Sequence, residues 1–246
     1  MTAVPFLPDS RLAVALTLAF SLLLPWAVLG PASTTRAAEA LPGCRYDDVA
    51  TRQTAYSAWR TTLLDTIYKL PASYVPPKLV STADAGLNGG YLVRRVVIDD
   101  LRALVKAAKA AGAPVAVLSA YRSYKRQKQL YAAEVERFGE KQARLQVARP
   151  GHSEHQLGTT VDLRAKSTTT APWTYTDWAK TKVGRWLANK AWRYGFVMSY
   201  PKGASERTCY MYEPWHYRYV GRDLAAKVMA SGLTLREYLW KHFEAR

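Results

Sequence analysis

With 246 residues, 49% of them hydrophobic and 12% aromatic, the chain suits one domain of ordinary size with a sizeable core, and overall disorder is excluded. Its net charge of +16 predicts attraction to a polyanion, either nucleic acid or the anionic polymers of a bacterial wall. The cations are spread over Arg94-Arg95, Lys106, Lys109, Arg122 to Lys128 and Lys180 to Arg185. No basic helix with base-reading residues and no aromatic single-strand motif emerges, so nucleic acid is not expected as a partner.

Residues 12–29 form one uncharged apolar run behind Arg11, and Ala38-Glu39-Ala40 offers a small-x-small cleavage site. That is the plan of a secretory signal over residues 1–40, with an uncleaved membrane anchor as the alternative; either places the protein outside the cytoplasm or in the envelope. Arg11 and Arg36 balance Asp9 and Glu39, so loss of this segment leaves the charge unchanged. Cys44 and Cys209 are the two cysteines, and an even pair in an exported chain predicts a disulfide. Leu41-Pro42-Gly43-Cys44 also resembles a lipoprotein box, but it lies well beyond the apolar run.

Residues 41–84 are read as a linker and helical extension, and 85–246 as the catalytic domain. A helix is expected from Asp47 to Leu70, with Tyr56, Trp59, Leu63, Ile67 and Leu70 on one stripe. A second amphipathic helix carries Val93, Val97, Leu101, Leu104 and Ala108 inward and stops at Gly112. Pro114 to Ala120 reads as a short buried strand, and Ser123 as the cap of a helix running to Gly139. A shorter helix over 140–148 leads into a glycine-bounded loop. The β-branched run at 159–161 then puts Asp162 on a strand. Residues 182–194 read as helix, and 196–200, 209–212 and 217–220 as strands. Thr234 with Glu237 forms a capping box for a last helix. Helices and strands that mix without alternating predict an α+β fold with a small, mostly antiparallel sheet flanked by helices.

Four histidines are present, and two fall where a metal site needs them. His155, Asp162 and His216 make a set of two imidazoles and a carboxylate, which leaves a fourth position on one zinc ion open for water. Glu213, three residues before His216, is a carboxylate free to act as general base, and Pro214 between them predicts a turn rather than a plain strand. His152 is read as a non-ligand and His242 as a surface residue. The aromatics Tyr210, Tyr212, Trp215, Tyr217 and Tyr219 are read chiefly as packing, with a hold on sugar or peptide as the alternative.

Three segments carry a resemblance. Ser119-Ala-Tyr-Arg-Ser-Tyr-Lys-Arg-Gln127, Pro150-Gly-His-Ser-Glu-His-Gln-Leu-Gly-Thr-Thr-Val-Asp162 and Glu213-Pro-Trp-His-Tyr-Arg-Tyr-Val-Gly221 resemble, in order and spacing, the motifs of VanY-type D-alanyl-D-alanine carboxypeptidases. These are zinc peptidases of bacterial peptidoglycan with the hedgehog/DD-peptidase-like fold. The resemblance covers roughly residues 85–242. It implies His155, Asp162 and His216 as zinc ligands, Glu213 as general base and Arg122 as the cation that steadies the oxyanion. It places Ser119, Tyr121, Gln127 and Ser153 around the substrate cleft, with peptidoglycan stem peptides as the substrate class. Leu157 and Thr160 depart from the usual residues at their positions. Removal of a C-terminal D-alanine is the implied reaction. The same motifs also serve L,D-carboxypeptidases and endopeptidases, and an inactive wall-binding module is a further alternative.

Overall fold

The computed structural model describes residues 40–245, and the expected signal segment lies outside them. Two short strands, β1 (Val49–Ala50) and β2 (Tyr68–Lys69), pair in parallel, and β3 (Leu79–Ser81) pairs antiparallel with β4 (Leu92–Arg94). Helix α1 (Ile98–Ala110) follows. After β5 (Val115–Ser119) come α2 (Tyr124–Phe138) and α3 (Glu140–Gln146), then β6 (Thr160–Ala165), α4 (Lys182–Lys190) and β7 (Phe196–Met198). Then come α5 (Ser205–Thr208), β8 (His216–Tyr219), α6 (Arg222–Ser231) and α7 (Leu235–Leu239), which a π-helical turn at Trp240–Glu244 continues. The central sheet is antiparallel throughout, in the order β5-β6-β8-β7. The expected α+β architecture is therefore present. Among the described residues no helix is long and apolar enough to cross a membrane.

The sheet sorts its side chains by the two-residue period of a strand. Val161 pairs with Tyr217 on one face, and Asp162 pairs with His216 on the other. The first face, with Leu163, Phe196 and Tyr219, closes on α1 and α4 in a core that includes Leu101, Leu104, Val183 and Leu187. The second face is left for polar groups. Leu63 of the N-terminal segment belongs to a second apolar cluster with Val197, Val220, Leu224 and Leu239.

Two sequence expectations are corrected. Residues 47–70 form no continuous helix; only a 3-10 turn at Tyr56–Ala58 and the two short strands are regular. The Asp65 carboxylate accepts from the backbone N–H groups of Ile67 and Tyr68, at 2.7 and 2.8 Å. Such local side-chain bonds give the backbone an alternative to helix. Leu63, Ile67 and Leu70 are buried all the same, so the apolar stripe marked burial and not its helical period. Residues 209–212 are not a strand either. Cys209 has φ +67° and terminates α5, and the chain then turns toward Glu213. The second predicted helix is real but starts at Ile98, with Val93 on β4.

Other elements follow the sequence closely. Ser123 Oγ accepts from Arg126 N–H at 3.2 Å and caps α2, and the Thr234–Glu237 capping box is formed in full. A disulfide joins Cys44 to Cys209, with 5.3 Å between the Cα atoms, and ties the start of the described chain to the segment before Glu213. His242 is half-buried against Tyr238, with ring centroids 4.2 Å apart, and is not the surface residue expected.

Candidate metal centre

The loop that delivers His155 is held by two glycines. Gly151, at φ +91°, accepts a hydrogen bond from Leu70 N–H at 2.9 Å, and a Cβ there would meet the Leu70 carbonyl oxygen at 2.8 Å. Gly158, at φ +71°, ends the single 3-10 turn Glu154–Leu157. No β-carbon fits either place without strain. The turn hands the chain to β6, so His155 and Asp162 meet although they are seven positions apart. A register shift between Val117 and Ser119 on β5 sets Ser119 opposite Asp162. His216 opens β8 after a tight turn in which its N–H donates to the Glu213 carbonyl at 3.1 Å.

His155, Asp162 and His216 are all buried, and one ligand atom from each lies within 4.8 Å of the others. His155 Nε2 stands 3.2 Å from Asp162 Oδ2, and His216 Nδ1 stands 3.2 Å from Asp162 Oδ1. Two ligands bound about 2.0–2.2 Å from a tetrahedral zinc ion are roughly 3.4 Å apart, close to this spacing. His155 Nε2 and Asp162 Oδ1 are buried atoms with no hydrogen-bond partner. Such atoms are costly to leave unsatisfied, and a cation between them removes the cost. The residues fit zinc.

Electrostatics agree with that donor set. Burial, reinforced by the Arg122 charge, pushes His155 down to about 4, which keeps its ring neutral and able to ligate. Burial would also lower His216, but the Asp162 and Glu154 carboxylates that face its two nitrogens outweigh it and raise the ring to about 10. Burial would raise Asp162, yet the two histidines hold its carboxyl far below the usual range. A ring that carries a proton at neutral pH must release it to bind metal. Zinc uptake at pH 7 is accordingly expected to release protons, read as the buffer dependence of the binding enthalpy. Release of none would contradict this charge assignment.

Glu213 and Arg122 stand beside the ligands. Glu213 Oε2 is 3.4 Å from His216 Nδ1, and its N–H donates to the Tyr200 carbonyl at 3.1 Å. Burial, with the Asp162 charge adding to it, raises the Glu213 carboxyl to about 7. A carboxylate poised near neutrality is suited to proton transfer. Arg122 N–H donates to the His155 carbonyl at 3.2 Å, and its Nη2 lies 3.5 Å from Ser153 Oγ. Burial lowers the guanidinium while Asp162 and Glu213 raise it, so both carboxylates lie within its field. Its buried Nε has no partner.

The remaining expected site residues are placed as follows. Tyr121 is partly exposed and its N–H donates to the Leu92 carbonyl at 2.8 Å. Gln127 is fully buried and its Nε2 donates to the Ala148 carbonyl at 2.6 Å, bracing the segment that enters the loop. His152 is outside the metal group. Its Nδ1 contacts the Asp65 carbonyl at 2.7 Å and its Nε2 the Asp48 carboxylate at 2.9 Å. Tyr210, Tyr217 and Tyr219 are buried, while Tyr212 and Trp215 keep partial exposure.

Sequence reasoning missed Glu154, Ser199 and Arg218. Glu154 is buried one residue before His155 and contacts His216 Nε2 at 2.9 Å. Arg218 shares the strand face of His216, two residues on, and is 0% exposed. The alternation His-Tyr-Arg-Tyr in β8 was the available signal, since it puts both polar groups on one face. Glu154 also had to be separated from Glu213 as a base. Burial would raise Glu154, but the Arg218 charge and the His216 bond hold it at about 2, so it stays ionised and engaged.

The family model described as VanY: D-alanyl-D-alanine carboxypeptidase matches residues 90–222. The chain is 38% identical over 184 residues to the putative carboxypeptidase YodJ of Bacillus subtilis, covering 73% of this chain and 66% of that protein. It is 35% identical over 162 residues to a D-alanyl-D-alanine carboxypeptidase of Enterococcus faecalis, covering 62% and 58%. The chain thus spans less than two thirds of the length of these curated relatives. Among solved structures, the LdcB LD-carboxypeptidase superposes with a TM-score of 0.66 at 36% identity, over 73% of this chain and 85% of that one. VanYB in complex with D-alanine-D-alanine gives 0.64 at 32%, over 75% and 99%. A zinc complex of a mutant of the vancomycin-resistance D,D-pentapeptidase VanY gives 0.63 at 33%, over 74% and 99%.

Proposed function

Because the chain belongs to the VanY family of D-alanyl-D-alanine carboxypeptidases, we propose that it removes the C-terminal D-alanine from peptidoglycan stem peptides. The observation that carries this reading is the convergence of His155, Asp162 and His216 beside Glu213 and Arg122. His155, Asp162 and His216 would hold a zinc ion, which would supply Lewis-acid polarisation of the scissile carbonyl and a lowered pKa of the attacking water. The chain's own groups do the rest. Glu213 Oε2, raised toward neutrality, takes the water proton and returns it to the leaving amine nitrogen. The Arg122 guanidinium keeps its charge and presents donors to the developing oxyanion. Ser153, whose Oγ lies 3.5 Å from Arg122 Nη2, and the partly exposed Tyr121 would face the stem peptide, and Ser119 stands opposite Asp162. Gln127, fully buried, would brace the loop rather than touch substrate.

Purified protein on defined muropeptides, followed by mass spectrometry, tests the substrate. Loss of one alanine from a pentapeptide stem is the expected result. Loss from a tetrapeptide stem instead would move the enzyme to the L,D branch, the activity in the name of the structural relative LdcB. Cleavage of neither would contradict the proposal.

We further infer an exported location, at or outside the envelope, from the apolar run at residues 12–29 and from the substrate class. The surplus of 35 Lys and Arg over 19 Asp and Glu would hold the enzyme on the anionic wall polymers. Attraction of that kind is screened by salt. Enzyme bound to isolated wall is expected to elute at moderate ionic strength, and retention unaffected by salt would count against the idea.

A further inference from the structure

We propose that Glu154 is the positioning residue for the metal ligand His216, and that it dictates which ring nitrogen of that histidine meets the metal. The inference rests on the zinc reading of the site and adds a residue to it.

Every oxygen of Glu154 is engaged. Oε2 accepts from Ser199 Oγ at 2.6 Å and from His216 Nε2 at 2.9 Å, and Oε1 accepts from Arg218 Nη1 at 3.0 Å. Arg218 in turn donates from Nη2 to the carbonyls of Trp59 and Thr62, at 2.9 and 2.7 Å. The buried guanidinium therefore anchors the carboxylate to the N-terminal segment. A buried carboxylate on its own carries a heavy desolvation cost, which a well-placed cation and further donors offset. Glu154 is thus fixed as an anion in one orientation.

That anion decides the tautomer of His216. A carboxylate 2.9 Å from Nε2 holds a proton there, so the nitrogen left to meet a metal is Nδ1, which stands 3.2 Å from Asp162 Oδ1. His155 is arranged the other way. Its Nδ1 contacts the Ala120 carbonyl at 2.7 Å, so the proton lies on Nδ1 and Nε2 is free toward Asp162 Oδ2. The two ligands offer opposite nitrogens, one oriented by a neutral carbonyl and the other by a carboxylate. The anionic partner also makes His216 the more electron-rich donor. Both carboxylate oxygens of Glu154 are held by buried protein donors, which separates its role from that of Glu213.

Glu154→Gln tests this, because an amide cannot accept from His216, Ser199 and Arg218 together. Zinc affinity, measured by competition with a chromophoric chelator, is expected to fall about 10–100-fold, the usual scale for losing such an outer partner. The visible absorption of the cobalt-substituted variant is expected to change as well. Folded Glu154→Gln protein that binds zinc like the wild type, with an unaltered cobalt spectrum, would overturn the proposal and leave the zinc site standing. Wild-type protein that takes up no zinc would overturn both. Should the variant fail to fold, long-range nitrogen–proton spectra of the zinc-loaded wild type decide the matter. A proton on His216 Nε2 and another on His155 Nδ1 are expected, and a proton on His216 Nδ1 would overturn the assignment.

Discussion

Replacing Glu213 with alanine is expected to leave the fold and the bound metal in place and to lower turnover by a factor of about 10²–10⁴, the usual contribution of a positioned acid–base group. The expectation follows from where Glu213 sits. Its carboxylate is 3.4 Å from a ligand nitrogen, outside the three-residue metal group, with its carboxyl raised to about 7. It belongs to a turn whose backbone bonds, to Tyr200 and from His216, do not depend on its side chain. The check is a pair of measurements on one preparation: zinc content, and initial rate on a pentapeptide muropeptide. Full zinc with full activity would remove Glu213 from the proton-transfer role. Lost zinc would make it a ligand.

His216→Ala is expected to act at the earlier step and abolish both metal and turnover. It removes one of three donors and leaves Asp162 Oδ1 and Glu154 Oε2 without the ring that each faces. Weakening of zinc beyond the ~10–100-fold typical of an outer partner is expected, with activity at background. The ring also packs against Tyr200, with centroids 4.8 Å apart, so circular dichroism must show that the variant folds. Folded protein with wild-type zinc content would exclude His216 from the ligand set. The two variants separate along metal content, since Glu213→Ala keeps zinc and His216→Ala does not.

Much of the site was legible because its residues come from segments with strong local patterns. The β-branched run before Asp162 forced a strand, and the glycines at 151 and 158 bounded the loop that carries His155. Pro214 broke β8 at the point where Glu213 has to turn back toward His216. The Cys44–Cys209 bridge followed from an even cysteine count in a chain whose apolar N-terminal run predicts export. The N-terminal segment was misread because apolar spacing reports burial before it reports helix. Leu63, Ile67 and Leu70 are core residues of an irregular chain whose hydrogen bonds run to Asp65 and Gly151. Glu154 and Arg218 were hidden for a different reason. Their meaning depends on partners 64 residues apart in sequence, and on carbonyls at 59 and 62 that carry no side-chain signature.

One zinc ion at His155, Asp162 and His216 is proposed to support hydrolysis of a terminal D-alanine. The most direct test is to strip the purified protein with a chelator, titrate zinc back, and follow alanine release from a pentapeptide stem at each step. No release from stripped protein and full recovery at one zinc per chain are expected. Release that persists after complete removal of metal would contradict it.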